Sequence, residues 1–171
     1  GATVFNQPIG DWDTSKVTNM YGMFYDATSF NQPIGNWNTS KVTAMSSMFL
    51  RAGKFNQPIG NWNTSKVALM GNMFREATSF NQPIGSWDTS KVIQMQGMFM
   101  GATSFNQPIG NWDTSEIEVN DDMFWSARAF NQDLSNWCMI NITTKPKYFD
   151  YNTPKWNKTN RQPVWGTCPG Q

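Results

Sequence analysis

A right-handed α/β repeat solenoid, with short parallel strands stacked against short helices, is the fold class that three features of this sequence predict. The first is repetition: Phe-Asn-Gln-Pro-Ile-Gly begins at Phe5 and returns at Phe30, Phe55, Phe80 and Phe105, with a degraded copy at Phe130. A unit of 25 residues cannot bury its own apolar face, so it must stack on its neighbours to make a continuous core. The second is a helix-like period in one half of each unit, and the third is a proline-bounded apolar segment in the other half.

The helix-like half runs from Val17, with apolar residues at Val17, Met20, Met23, Phe24 and Ala27, repeated as Val42, Met45, Met48, Phe49 and Ala52. Spacings of three and four place such residues on one helical face. Asp13-Thr14-Ser15 and its copies precede this stretch with side chains that accept the free amides of a first turn. The spacing predicts a helix over about Lys16 to Asp26. In the other half, Pro33 excludes a long central strand but is allowed at a strand's first residue. A short strand over about Ile34 to Trp37 follows, stacking at roughly 4.8 Å from its copies.

The chain divides into residues 1–129, five 25-residue repeats preceded by the end of an earlier repeat, and residues 130–171, a degenerate repeat and a C-terminal cap. Gly1-Ala2-Thr3 aligns with Gly101-Ala102-Thr103 at the end of a repeat, and no polar capping unit precedes Phe5. That alignment predicts a piece of a longer array.

A formal charge of +1 with 15% charged residues lacks the basic footprint of a duplex-binding protein, so nucleic acid is not an expected partner. No apolar run approaches the roughly 18 residues of a membrane span. Histidine, the commonest general base and metal ligand, is absent, and no base accompanies the Thr-Ser pairs. No catalytic residue, metal site or cofactor is expected, and the chain reads as a non-enzyme.

The pattern F-N-Q-P-I-G-x-W-(D/N)-T-S-K-V-x-x-M-x-x-M-F-x-x-A resembles the BspA-like bacterial surface-protein repeat, a divergent relative of leucine-rich repeats, over residues 1 to about 150. The resemblance implies a leucine-rich-repeat-like stack within large cell-surface proteins associated with attachment to host or matrix proteins. It carries no catalytic motif.

Cys138 and Cys168 are the two cysteines, both in the degenerate tail. A bond between them would close a loop worth roughly 3 to 4 kcal/mol in the chain-entropy description, stapling the cap and implying an oxidising compartment, extracellular or at the cell surface. Two buried free thiols are the alternative. Sequons at Asn38, Asn63, Asn141 and Asn157 are candidate glycosylation sites, although Asn38 and Asn63 also occupy the capping row.

The Asn row from Asn6 to Asn131 reads as a structural amide ladder. By alternation the Gln row, Gln32, Gln57, Gln82 and Gln107, points the other way and is expected to be exposed, a face on which glycan binding is an option. Lys16, Lys41, Lys66 and Lys91 line up where their stems would cover the Trp12 to Trp112 row with cation–π contact. Glu116, Glu118, Asp121 and Asp122 cluster in the fifth repeat; the default for them is a solvated charged face, with calcium as the alternative. The position eight residues after the fixed Val reads Tyr25, Leu50, Arg75, Met100 and Trp125. Large side chains of varied chemistry at a fixed position suit a contact surface, and Ile93 and Leu69 add to it. The expected function is therefore protein binding or adhesion through this ridge, with a structural spacer and a glycan-binding module as alternatives.

Overall fold

A computed structural model describes residues 1–156 and 161–170. Each repeat forms one rung, and the rung is built from tight turns. In the second rung the amides of Trp37, Val42, Met48, Leu50, Ala52 and Phe55 each donate to the carbonyl three residues earlier, at 2.9–3.2 Å. Between these turns the amides of Met45, Ser47, Phe49 and Arg51 donate forward to the carbonyls of Leu69, Gly71, Met73 and Arg75 in the next rung, at 2.8–2.9 Å. Alternate amides thus turn the chain within a rung or tie it to the neighbour. This satisfies the backbone donors without a helix.

The expected α/β solenoid is therefore corrected. No helix is present among the described residues, and pairing is confined to isolated parallel bridges linking Asn19, Ala44, Leu69, Gln94 and Val119. Those bridges lie in the stretch read as helix, whereas Ile34 to Trp37, read as strand, closes a turn. The reason is a pair of left-handed residues in every rung: Gly22 and Asp26 at φ 59° and 56°, Ser47 and Arg51 at 57° and 59°, Asn72 and Glu76 at 57° and 58°, Gly97 and Gly101 at 59° and 69°, and Asp122 and Ser126 at 57° each. A right-handed helix cannot continue through such a residue, but a turn with positive φ at its third position requires one. Consecutive turns of this kind, Met45 to Met48 and Phe49 to Ala52, point every third or fourth side chain inward. The apolar period is consequently that of a helix while the hydrogen bonds are not.

The core is a set of parallel columns. Phe24, Phe49, Phe74, Phe99 and Phe124 are all buried, with successive ring centroids 5.5–5.8 Å apart. A second column runs from Phe30 to Phe130 at 5.9–6.1 Å, and the two columns meet face to face, with Phe24 and Phe30 at 4.0 Å. The tryptophans from Trp37 to Trp137 form a third column, and each buried indole N–H donates to an isoleucine carbonyl of the preceding rung, Trp62 to Ile34 at 3.1 Å. Burying each of these rings stabilises by roughly 1.5–3 kcal/mol, and their offset stacking adds about 0.5–1.5 kcal/mol per pair.

Two polar features fix the spacing of the rungs. Thr39 Oγ1 is buried and donates to the Asn63 carbonyl of the next rung at 3.0 Å, a contact repeated at Thr14, Thr64, Thr89 and Thr114. Gly35 approaches the next rung so closely that a Cβ there would lie 2.5 Å from the Pro58 carbonyl oxygen. Only glycine admits that approach.

Beyond Phe130 the regularity fails. Regular rungs pair Phe24 with Met48, whereas Phe124 pairs with Phe149, so the sixth unit carries one extra residue and its left-handed positions fall at Tyr148 and Asn152. Trp156 meets Phe130 edge-on at 5.0 Å, and Trp165 meets Phe149 likewise at 5.0 Å. A disulfide joins Cys138 to Cys168. Among the described residues no helix is long and apolar enough to cross a membrane.

Candidate binding surfaces

The five ridge residues lie on one line along the stack. The carbonyls of Leu50, Arg75, Met100 and Trp125 accept from the amides of Asp26, Arg51, Glu76 and Gly101, each in the preceding rung, at 2.7–2.9 Å. Tyr25 is 41% exposed, and the other four are half-buried. Beside them runs a row of charges: Arg51 lies 3.2 Å from Glu76 and 3.6 Å from Asp26, and Arg75 lies 3.5 Å from Glu76. The hydrogen bond from Arg51 to Glu76, with the charges of Glu76 and Asp26 behind it, raises the guanidinium pKa above its ordinary value. Leu69 and Ile93, expected to extend this ridge, lie elsewhere: Leu69 is in the column of parallel bridges, and Ile93 is hydrogen-bonded beside it to Ala68.

The ridge extends further than the repeat pattern indicates. Trp125 packs against Tyr148 at 5.0 Å and Tyr151 at 5.9 Å, and the Lys147 ammonium sits 4.9 Å over the Tyr148 ring. The signal for these residues is the aromatic run Tyr148-Phe149-Asp150-Tyr151, displaced by the extra residue from the position at which the repeats would be compared.

The amide rows differ from expectation in one respect. Asn31 Oδ1 accepts the Asn56 amide at 2.9 Å, so the Asn row is a structural ladder. Gln57 Nε2 joins the same ladder, 3.1 Å from the Asn31 carbonyl and 3.0 Å from its Oδ1, and Gln82 and Gln107 repeat the pair of contacts while Gln32 reaches the Asn6 carbonyl. Gln32, Gln57, Gln82 and Gln107 are therefore half-buried rather than exposed. The strict alternation that would turn them outward belongs to an extended strand, and this segment is not one.

Lys16, Lys41, Lys66 and Lys91 are exposed; Trp12 is exposed, Trp37, Trp62, Trp87 and Trp112 are buried and stacked on one another, and among the described residues none of these lysines makes a cation–π contact. The Asp and Asn residues ahead of them make two-residue turns, with Ser15 N donating to Asp13 Oδ1 at 3.0 Å and Ser40 Oγ to Asn38 Oδ1 at 2.7 Å. Hydrogen bonds from the following serine hold the carboxyls of Asp13, Asp88 and Asp133 below the usual range. Of the sequon residues, Asn38, Asn63 and Asn141 are exposed, with Asn141 Nδ2 donating to the Ser115 carbonyl at 2.8 Å; Asn157 lies outside the described residues. In the acidic stretch, Asp121 Oδ1 accepts the Lys147 amide at 3.0 Å. Among the described residues no group of three or more His, Cys, Asp or Glu side chains is placed to hold a metal ion.

In-register columns, amide ladders and one turn-built rung per repeat define a stacked repeat protein. The family described as "Mycoplasma protein of unknown function, DUF285" matches residues 1–79 and 56–162, and the chain belongs to that family. Among curated proteins and solved structures, nothing matches it.

Proposed function

We propose that this chain is a non-enzymatic protein-binding module of a secreted or cell-surface protein, within the BspA-like part of its family, and that it docks its partner through Tyr25, Leu50, Arg75, Met100 and Trp125. The observation that carries this reading is the contrast between a fixed backbone and variable chemistry. Each ridge residue closes the same turn of its rung, its amide donating to the carbonyl three residues earlier, yet the side chains are phenol, alkyl, guanidinium, thioether and indole. A position serving only to pack the stack would repeat itself, as the phenylalanine columns do. Tyr, Trp, Arg and Met are also the types enriched in interface cores. The Cys138–Cys168 disulfide supports an oxidising environment.

The test is a surface-binding assay comparing the parent with a Leu50→Ser, Met100→Ser, Trp125→Ser variant that keeps the parent's melting profile. The protein-binding reading requires that adhesion to immobilised matrix proteins or intact cells be lost in the variant. If the variant binds as the parent does, the ridge is lateral packing and the chain is better read as a rigid spacer.

A further inference from the structure

We infer that a shallow groove crossing four rungs, beside the parallel bridges and meeting the Tyr25–Leu50 end of the ridge at Tyr21 and Ser47, is a binding site for a neutral linear oligosaccharide. The groove has a volume of about 370 Å³ and is floored by Ala44, Leu69 and Gly71. Its polar lining includes Ser46, Ser47, Asn72, Gln94 and Gln96, and the first rung contributes Asn19 and Tyr21. In the Thr, Asn and Gln rows the polar side chains bond along the stack, threonine to carbonyls, asparagine and glutamine to one another. In this groove only the Asn19 side chain is engaged, its Oδ1 accepting the Tyr21 amide at 2.8 Å. Among the described residues the side chains of Ser46, Ser47, Asn72, Gln94 and Gln96 make no hydrogen bond within the protein.

Gln96 is the clearest case, because its Oε1 is buried without a partner. An unmade hydrogen bond of this kind costs about 1–3 kcal/mol. Its amide lies over Gly71, where a Cβ would come within 2.6 Å of Nε2, so the absence of a side chain at Gly71 provides the space it occupies. Rotation of Gln96 off Gly71 gives Oε1 access to a donor on a ligand and deepens the floor of the groove.

The lining specifies the ligand's class. It contains no carboxylate, ammonium or guanidinium, so a charged ligand would lose its hydration without compensation. Hydroxyls and amides recurring from rung to rung match a chain of hydroxyl-bearing units. Tyr21, 68% exposed, offers an aromatic face for the apolar side of a sugar ring. A peptide would gain affinity by extending a sheet edge, but the amides of Met20, Gly22 and Phe24 already donate to the next rung.

The experiment measures binding of the whole chain to short immobilised β-1,4-glucan, β-1,4-linked N-acetylglucosamine and α-1,4-glucan chains, with a polyuronate of similar length as the charged control. Expected are saturable binding to at least one neutral glycan, none to the polyuronate, and a loss of about tenfold or more in Tyr21→Ala and in a Gln94→Ala, Gln96→Leu variant. A Met100→Ser, Trp125→Ser variant, which leaves Leu50 beside Tyr21 and Ser47 intact, should bind the glycan as the parent does, which separates this site from the rest of the ridge. The inference is overturned if no neutral glycan is retained, if the polyuronate is retained equally, or if the groove variants, with unchanged melting profiles, bind as tightly as the parent.

Discussion

The rungs from Phe30 to Ala129 and the segment from Phe130 onward solve the same packing problem by different means. In the rungs, each buried ring sits on a copy of itself, as Phe74 does between Phe49 and Phe99, and the Thr, Asn and Gln rows bond to the neighbouring repeat. In the C-terminal segment the copies are lost. Rings there meet edge-on, Phe124 against Phe149 at an interplanar angle of 85°, a disulfide closes the loop, and the buried Asp150 carboxylate is held by Lys145 at 2.8 Å and by Gln162. Repetition distributes stability evenly over neighbours, whereas its loss concentrates stability in a few specific links.

The largest expected effect falls in the repeating region. Phe74→Ala removes a ring stacked on both sides and should cost about 3–5 kcal/mol, read as a drop in unfolding free energy in denaturant. A protein as stable as the parent would mean that the stacked rings do not carry the stability of the repeats. Next is the staple. Replacing Cys138 and Cys168 together by serine opens a loop of sequence separation 30 and should cost about 3.5 kcal/mol on the loop-entropy scale. Amide exchange should then accelerate after Phe130 while Met45 to Phe99 stay protected. Uniform acceleration would show that the two regions are one cooperative unit.

The junction between the regions gives a smaller effect of opposite sign. Asn120 occupies the column of Met20, Met45, Met70 and Met95; its Oδ1 is buried without a partner, and its Nδ2 reaches only the Met139 sulfur at 3.7 Å. Asn120→Met should therefore stabilise by about 1–3 kcal/mol, seen as a raised melting temperature. An unchanged or lowered value would mean that the polar group is satisfied in solution.

Much of this division is legible in the residues themselves. The 25-residue period, the phenylalanine columns, the asparagine ladder and the pairing of the two cysteines all follow from which side chains recur and where recurrence stops. The helix does not survive, because an apolar spacing of three and four is shared by a helix and by successive tight turns. The local signal that separates them is weak. Gly22, Asn72, Gly97 and Asp122 are residues tolerant of positive φ, but Ser47, Arg51 and Glu76 adopt it as well and carry no such mark. Their left-handed backbone is stabilised by the ladder to the next rung, a contact one repeat away that no local pattern contains. For the same reason the Gln row, assigned outward by strand alternation, turns into the ladder, and the unpartnered Gln96 Oε1 stands out only against that paired row.

Turn-built rungs joined by forward hydrogen bonds make up the repeating region, and the scalar coupling across the Phe49 amide tests that arrangement most directly. The structure places its acceptor at the Met73 carbonyl, 2.9 Å away in the next rung, whereas a helix over this stretch would place it at Met45, four residues earlier. Through-hydrogen-bond coupling by NMR from Phe49 N to the Met73 carbonyl carbon, with positive φ at Ser47 and Arg51 from three-bond couplings, is the predicted result. Coupling from Phe49 N to the Met45 carbonyl carbon, with helical φ at both residues, would contradict it.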